Sequence, residues 1–198
     1  MLEPSLRLSG AILLVATLLV VGVHRWRAAR SGGRISRRAE GLAMMIGLRV
    51  VGGLLWLGVI LWLAAPDRLR WAERPVPEAL RWSGAALIAL GIGLVAWVLH
   101  HLGRNLTDTV ITRANATLVR SGPYRWVRHP FYVVAAILIA GWALLTANAF
   151  LAVAGAVTFA LLVLRSRTEE RFLVERFGDD YRDYMRSTGA FLPRGRHS

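Results

Sequence analysis

Cysteine and lysine are both absent from this 198-residue chain. Without cysteine there are no disulfides, no thiolate metal sites and no cysteine nucleophile. Without lysine, every one of the 25 basic residues is arginine, set against only 12 acidic residues, for a formal net charge of +13. Such a balance can signal nucleic acid. Here, however, no base-reading motif accompanies the charge, and the arginines sit between apolar blocks, which suits anionic lipid headgroups instead. Nucleic acid is therefore excluded as the expected partner, and membrane lipid takes its place. No internal repeat and no nucleotide fingerprint of the strand, glycine loop and helix type occurs.

Hydrophobic residues make up 55% of the chain and the mean hydropathy is +0.45, values that belong to an integral membrane protein. A bilayer core about 30 Å thick asks for roughly 20 apolar residues per helix. Five candidates appear, at about 6–24, 42–64, 80–100, 131–147 and 149–164. The first lacks a convincing basic leader region and a small-residue cleavage site, so it is read as a retained span and not as a signal peptide. The last two are short, and only Thr146-Ala147-Asn148 separates them. Asn suits a tight turn, so these two spans read as a compact hairpin whose tip barely crosses or ends within protein cover. The fold class expected is all-α: a polytopic bundle of about five transmembrane helices, the last two a short hairpin, followed by a helical C-terminal tail. Residues 1–102 then form the N-terminal membrane part and 103–198 the catalytic region.

Arginine counts set the orientation. Arg25, Arg27, Arg30, Arg34, Arg37 and Arg38 follow the first span. Arg104, Arg113, Arg120, Arg125 and Arg128 lie between the third and fourth, and eight more begin at Arg165. These segments share one side. The expectation is an inner-membrane protein of bacterial type with its N-terminus outside and its C-terminus and functional site cytoplasmic. The tail 165–198 is expected to begin as a helix continuing from the fifth span, and in it Phe172, Leu173, Phe177, Tyr181, Tyr184 and Met185 recur at helical spacing with Gly178 interrupting them. That pattern gives an amphipathic helix at the interface or packed on the core.

Two polar clusters stand out. Gly122-Pro123-Tyr124-Arg125-Trp126-Val127-Arg128-His129-Pro130-Phe131-Tyr132 crowds against the start of the fourth span, and Arg165-Ser-Arg-Thr-Glu169-Glu170 begins where the fifth ends. A hairpin brings them together. Arg165 and Glu169 are four apart and share a helix face. That face can hold a substrate carboxylate and a cationic ligand, or it can be a juxtamembrane ion pair with snorkelling arginines. His129 precedes Pro130, a residue suited to a helix's first turn. It can serve a ligand there or simply be an interfacial histidine. Tyr124, Trp126, Phe131 and Tyr132 can line a pocket or form an aromatic belt. Arg49 inside the second span asks for a partner, a cavity or a snorkelling path. His100-His101 point about 100° apart on a helix with no acidic cluster beside them, so no metal is expected. Gly91 and Gly93 read as permitting close helix packing.

In combination these pieces say more. Thr117-Leu118-Val119-Arg120-Ser121-Gly122-Pro123-Tyr124 comes first, followed by Arg128-His129-Pro130-Phe131-Tyr132, Glu169-Glu170, Phe177-Gly178-Asp179-Asp180-Tyr181-Arg182-Asp183-Tyr184 and Leu192-Pro193. In that order they resemble the isoprenylcysteine carboxyl methyltransferase family, including its short prokaryotic members, over about Gly103 to Arg194. The resemblance implies an all-helical membrane methyltransferase that uses S-adenosylmethionine without a Rossmann domain. It implies cofactor contacts at Ala116, Thr117, Leu118, Val119, Tyr124, His129, Pro130, Phe131, Tyr132 and Glu169. It also implies a catalytic pair, Arg165 and Glu169, with Arg165 engaging the substrate carboxylate. Members of that family often carry His where this chain has Ala116. The expected acceptor is a lipophilic small molecule or a lipid-linked group, with a carboxylate as the methylated function. A phospholipid amine or a thiol is the alternative acceptor, and a non-catalytic membrane scaffold or transporter component is the alternative function.

Overall fold

The computed structural model describes residues 4–30, 42–103 and 117–194. Six α-helices follow in chain order: α1 (Pro4–Ala29), α2 (Leu42–Ala64), α3 (Glu78–Leu102), α4 (Pro130–Thr146), α5 (Ala149–Phe177) and α6 (Asp179–Ser187). Four of them, α1, α2, α3 and α5, are long and apolar enough to cross a membrane, and α4 is a shorter apolar helix. Together they make the chain an integral membrane protein. The expected spans lie within these helices. Helix α5 runs on past its apolar run, which ends at Leu164, unbroken through Arg165, Glu169 and Glu170 to Phe177. At 1.5 Å per residue this 29-residue helix is about 43 Å long, so its charged second half projects beyond a bilayer core of about 30 Å.

Helix α3 packs along α4 and α1, while α5 lies against α2 and α4. Glycine sets the closest of these approaches. A Cβ at Gly84 of α3 would lie 2.5 Å from the Leu145 amide nitrogen and 2.7 Å from the Gly141 carbonyl oxygen of α4. A Cβ at Gly141 would lie 2.8 Å from Ile88, and one at Gly91 would lie 2.6 Å from Leu138. In lipid, helices attract chiefly through such close packing, because the tails are as apolar as the side chains. Gly91 has the packing role expected of it. Gly93 faces open space.

The hairpin between α4 and α5 turns on a single residue, Ala147, held in the left-handed region at φ 50°. Asn148 follows as the N-cap of α5, its side-chain oxygen accepting from the Leu151 amide at 3.3 Å. Its Nδ2 donates to the Leu69 carbonyl at 3.0 Å, and the Arg74 amide donates to the Ala147 carbonyl at 2.8 Å. Leu69 belongs to a 3₁₀ turn, Pro66–Ala72, that joins α2 towards α3 and lies over the tip. Thr146 and Asn148 are buried beneath it. The irregular backbone is thus covered by protein, as the short limbs required. Two arginines serve other helix ends here: Arg7 donates to the Leu63 carbonyl in the last turn of α2, and Arg81 Nε to the Leu145 carbonyl of α4 at 3.1 Å. Each supplies a donor and a positive charge where a helix leaves its carbonyls unpaired.

The α3–α4 contact generates a test. Gly84→Val forces a branched side chain into backbone, at a cost of about 1–3 kcal/mol or more, whereas Gly93→Val meets no neighbour. The expected outcome is a clearly lowered unfolding midpoint in detergent for Gly84→Val and a near-native one for Gly93→Val. Equal midpoints for the two would show that the glycine contact does not hold the helices together.

Candidate active site

The site lies at the opposite end of the bundle from the hairpin tip. Pro130 opens α4, where its missing N–H costs no hydrogen bond and its fixed φ suits a first helical turn. This aims the preceding residues, Arg128 and His129, across to the charged half of α5. Before them a 3₁₀ turn, Gly122–Arg125, begins at Gly122 with φ 59°. A Cβ there would strike the His101 ring at 2.3 Å, so glycine is required on both counts. Tyr124 in this turn is buried in a cluster with Val95, Val98 and Leu99 of α3 and Val134 of α4, and Val119 packs against the same cluster.

The two adjacent glutamates of α5 have different surroundings. Glu170 is 18% exposed and receives Arg128 Nε at 2.9 Å, Arg128 Nη2 at 2.7 Å and His129 Nε2 at 3.0 Å, all on Oε1. A carboxylate oxygen accepts, so Nε2 of His129 carries the proton. Glu169 is 32% exposed; its Oε2 receives the Tyr132 hydroxyl at 2.7 Å and lies 4.0 Å from His129 Nδ1. The His129 and Tyr132 rings stack at 5.3 Å with 6° between planes, and Phe191 from the chain end tilts against both, at 5.5 and 6.5 Å. Arg165 stands one turn before Glu169 on α5, half-buried.

Beyond α5, Gly178 at φ 55° ends one helix and starts α6. Its Tyr181 and Tyr184 are buried. The Tyr184 hydroxyl donates to the Tyr124 carbonyl. Burial pushes the Tyr184 phenol up to about 12, with Arg128 and Arg120 opposing it. Burial, and after it the Glu169 carboxylate, pushes Tyr124 higher still, and burial followed by Glu170 does the same for Tyr181. These phenols are neutral hydrogen-bonding groups at physiological pH, not bases.

The structure therefore brings together Tyr124, His129, Pro130, Tyr132 and Glu169, with Arg165 on the same helix as Glu169. Phe131 points outward, and Thr117 is exposed while Leu118 and Val119 are half-buried on the approach to the turn. Ala116 lies outside the described residues. Arg49 is exposed on α2, which agrees with snorkelling. The His101 ring packs edge-on against Trp97 and His100, and among the described residues no group of three or more His, Asp or Glu gathers for a metal. Sequence reasoning placed no role on Arg128, Glu170 or Phe191. The adjacency of Arg128 to His129 and of Glu170 to Glu169 was the available signal for two of them, and Phe191 carried none.

The chain is 37% identical over 118 residues to the cobalt-zinc-cadmium resistance protein CzcN of Cupriavidus metallidurans, covering 58% of this chain and 54% of that protein. It is 42% identical over 72 residues to methanethiol S-methyltransferase of Mycobacterium tuberculosis, covering 35% and 28%. It is 30% identical over 113 residues to protein-S-isoprenylcysteine O-methyltransferase of Saccharomyces cerevisiae, covering 56% and 47%. The chain thus spans about half or less of the length of these relatives. A solved structure described as the eukaryotic intramembrane Ras methyltransferase ICMT (isoprenylcysteine carboxyl methyltransferase) shares the fold, with a TM-score of 0.50 at 23% identity, covering 77% of this chain and 53% of that one. The sequence model of the phospholipid methyltransferase family matches residues 79–180, from the start of α3 into α6. With that match over more than half its length, the chain belongs to the phospholipid methyltransferase family of membrane methyltransferases, to which its isoprenylcysteine carboxyl methyltransferase relatives tie it in sequence and in fold.

Proposed function

We propose that this protein is an S-adenosylmethionine-dependent methyltransferase acting on a lipophilic acceptor, with a carboxylate as the methylated group. The observation that carries the reading is the Glu169 carboxylate beside the stacked His129 and Tyr132 rings, one turn from Arg165. An acidic group next to aromatic faces suits a cationic donor, so the residues present fit a sulfonium-bearing cofactor. When bound, that cofactor supplies an activated methyl group. Tyr132 orients Glu169 by its hydrogen bond, and Glu169 holds the cationic end. The Thr117-Leu118-Val119 stretch and Tyr124 border the same region. Arg165 binds and orients the acceptor anion, and a planar guanidinium is well matched to a carboxylate. An ionised carboxylate needs no base to remove a proton. The work left to the protein is alignment of acceptor and donor and exclusion of water.

Among the described residues, Arg25, Arg27 and Arg30 at the end of α1, Arg120, Arg125 and Arg128 before α4 and the arginines from Arg165 onward lie towards the site's end of the bundle, so the positive-inside rule favours a cytoplasmic site with the hairpin tip outside. A soluble cofactor then enters from the cytoplasm, and a lipid-soluble acceptor reaches Arg165 from the bilayer. In a bacterium this is the inner membrane.

A second acceptor class has support in the family description and in the methanethiol relative. With a phospholipid amine or a thiol, Arg165 would hold a neighbouring phosphate or carboxylate, and a base would have to take the acceptor's proton. Membranes labelled with methyl-tritiated S-adenosylmethionine separate the classes. Label released by mild base is the expected outcome and marks an ester; label stable to base assigns the acceptor to an amine or thiol.

Substitutions test the assigned roles. Losing a charge-assisted contact costs about 1.5–3 kcal/mol, or roughly 10- to 100-fold. Glu169→Gln is expected to weaken S-adenosylhomocysteine binding by that factor in calorimetry. Arg165→Ala is expected to keep cofactor binding and lose turnover by a similar factor. Native turnover in Arg165→Ala removes Arg165 from the site. A wild-type protein that binds no S-adenosylhomocysteine at millimolar concentration favours a non-catalytic scaffold or transporter component.

A further inference from the structure

The side chain of Arg128 is only 9% exposed, and its donors do not point at any ligand space. Besides Glu170, Arg128 Nη1 donates to the Met185 carbonyl at 3.3 Å and to the Thr188 carbonyl. Its own amide donates to the Gly189 carbonyl at 2.8 Å, and the His129 amide to the Ala190 carbonyl at 2.9 Å. Val127 and Gly189 pair as a parallel bridge. One arginine thus joins the entrance of α4, the charged half of α5 and the chain after α6. Gly189 makes the tail's turn possible, since a Cβ there would sit 1.9 Å from the Leu192 carbonyl oxygen. What the tail delivers is Phe191, half-buried against His129 and Tyr132.

We propose that Arg128 and Glu170 are positioning residues that clamp the segment Thr188–Arg194 across the site, and that the clamped Phe191 is a binding residue forming one wall of the cofactor's cation-binding end. The second half rests on the methyltransferase reading above; the first does not. The division of labour follows from the two glutamates. Glu170, 18% exposed, gives Oε1 to Arg128 and His129, whereas Glu169, 32% exposed and met by the Tyr132 hydroxyl, is the more open of the two and the one that faces a ligand. The Glu169 carboxylate, the His129 and Tyr132 rings beside it and the Phe191 ring packed on those two provide both charge and π-faces for a sulfonium. Because Phe191 lies beyond α6 and outside any helix, its place at the site depends on the contacts that hold the Thr188–Arg194 segment.

The test uses the full chain in detergent and two readouts. Hydrogen exchange without any ligand reads the clamp. Arg128→Ala is expected to speed exchange of the Gly189–Arg194 amides about ten-fold or more while α3 and α4 stay protected; an unchanged tail overturns the clamp. If Arg128→Ala does not accumulate as folded protein, Arg128→Lys replaces it. Its ammonium can meet Glu170 but cannot span both tail carbonyls, so the same loosening is expected, and wild-type protection again overturns the clamp. Calorimetry with S-adenosylhomocysteine and S-adenosylmethionine reads Phe191. Phe191→Ala is expected to leave tail exchange unchanged and weaken S-adenosylmethionine binding roughly five- to ten-fold, and Phe191→Tyr is expected to restore it. Binding by Phe191→Ala equal to wild type removes Phe191 from the site. Absence of binding in the wild type overturns the methyltransferase reading and the role of Phe191 with it, while the ligand-free exchange result still decides the clamp.

Discussion

The Glu170 carboxylate is the junction on which the site end of this protein depends. A single oxygen, Oε1, receives Arg128 and His129, and Arg128 in turn holds carbonyls of Met185 and Thr188. Breaking a partly buried pair by removing one member leaves an uncompensated charge, which costs far more than the pair contributes over an apolar substitute. Such a junction is therefore better understood as a device for fixing geometry than as a source of stability. It fixes the entry to α4, the azimuth of α5 and the path of the tail together. Tyr132 and Glu169 acquire their relation only because their neighbours in sequence are already fixed.

The far end of the molecule answers a different constraint. A hairpin with one limb of 17 residues must turn its backbone at a depth where lipid offers no hydrogen bonds. The chain resolves this by laying the Pro66–Ala72 turn over the tip and by using Asn148 twice, once as a cap for α5 and once as a donor to Leu69. Arg7 and Arg81 close two other helix ends. Between the two ends, Gly84, Gly91 and Gly141 let α3 and α4 approach at backbone distance. That closeness makes α3 a support for the site as well as a span, because Val95, Val98 and Leu99 near its end are the floor on which Tyr124 rests. The family match begins at residue 79 and takes in the whole of α3, in keeping with that role.

Much of this was legible in the sequence because the bilayer imposes few solutions. Apolar run lengths gave the helices, and Thr146-Ala147-Asn148 gave the turn. The Phe172 to Met185 spacing gave a packed face in the tail, which Tyr181 and Tyr184 supply. The covering of the tip was legible only as a requirement, since nothing in Pro66–Ala72 marks it as the cover. The run of α5 past Leu164 was legible as a tail helix continuing from the fifth span, because charged residues at helical spacing beyond a membrane keep a helix going where hydropathy falls. The site's internal logic was the least legible. Arg128, His129, Glu169 and Glu170 are two adjacent pairs, and adjacency cannot say which member of a pair turns inward. Phe191 lies more than 50 residues from Tyr132, and only the folded tail joins them.

The asymmetry between the two glutamates also bears on chemistry. A site for a cationic donor and an anionic acceptor must hold opposite charges close together without letting its own charges pair and collapse. Here the tightest pairing is at Glu170, which meets Arg128 at 2.7 Å and His129 at 3.0 Å. Arg128 is committed to Glu170, and its remaining donors are committed to backbone carbonyls, so it cannot swing to neutralise Glu169. Glu169 is instead met by a neutral phenol, Tyr132, which orients the carboxylate without cancelling its charge. On the proposed reading such a negative centre is preorganised for a cationic donor, with Arg165 one helix turn away to take the acceptor anion. The clamp proposed around Glu170 and the more exposed Glu169 are thus two halves of one arrangement: tightly paired charge on the side that fixes the backbone, and a carboxylate met by a neutral phenol on the other.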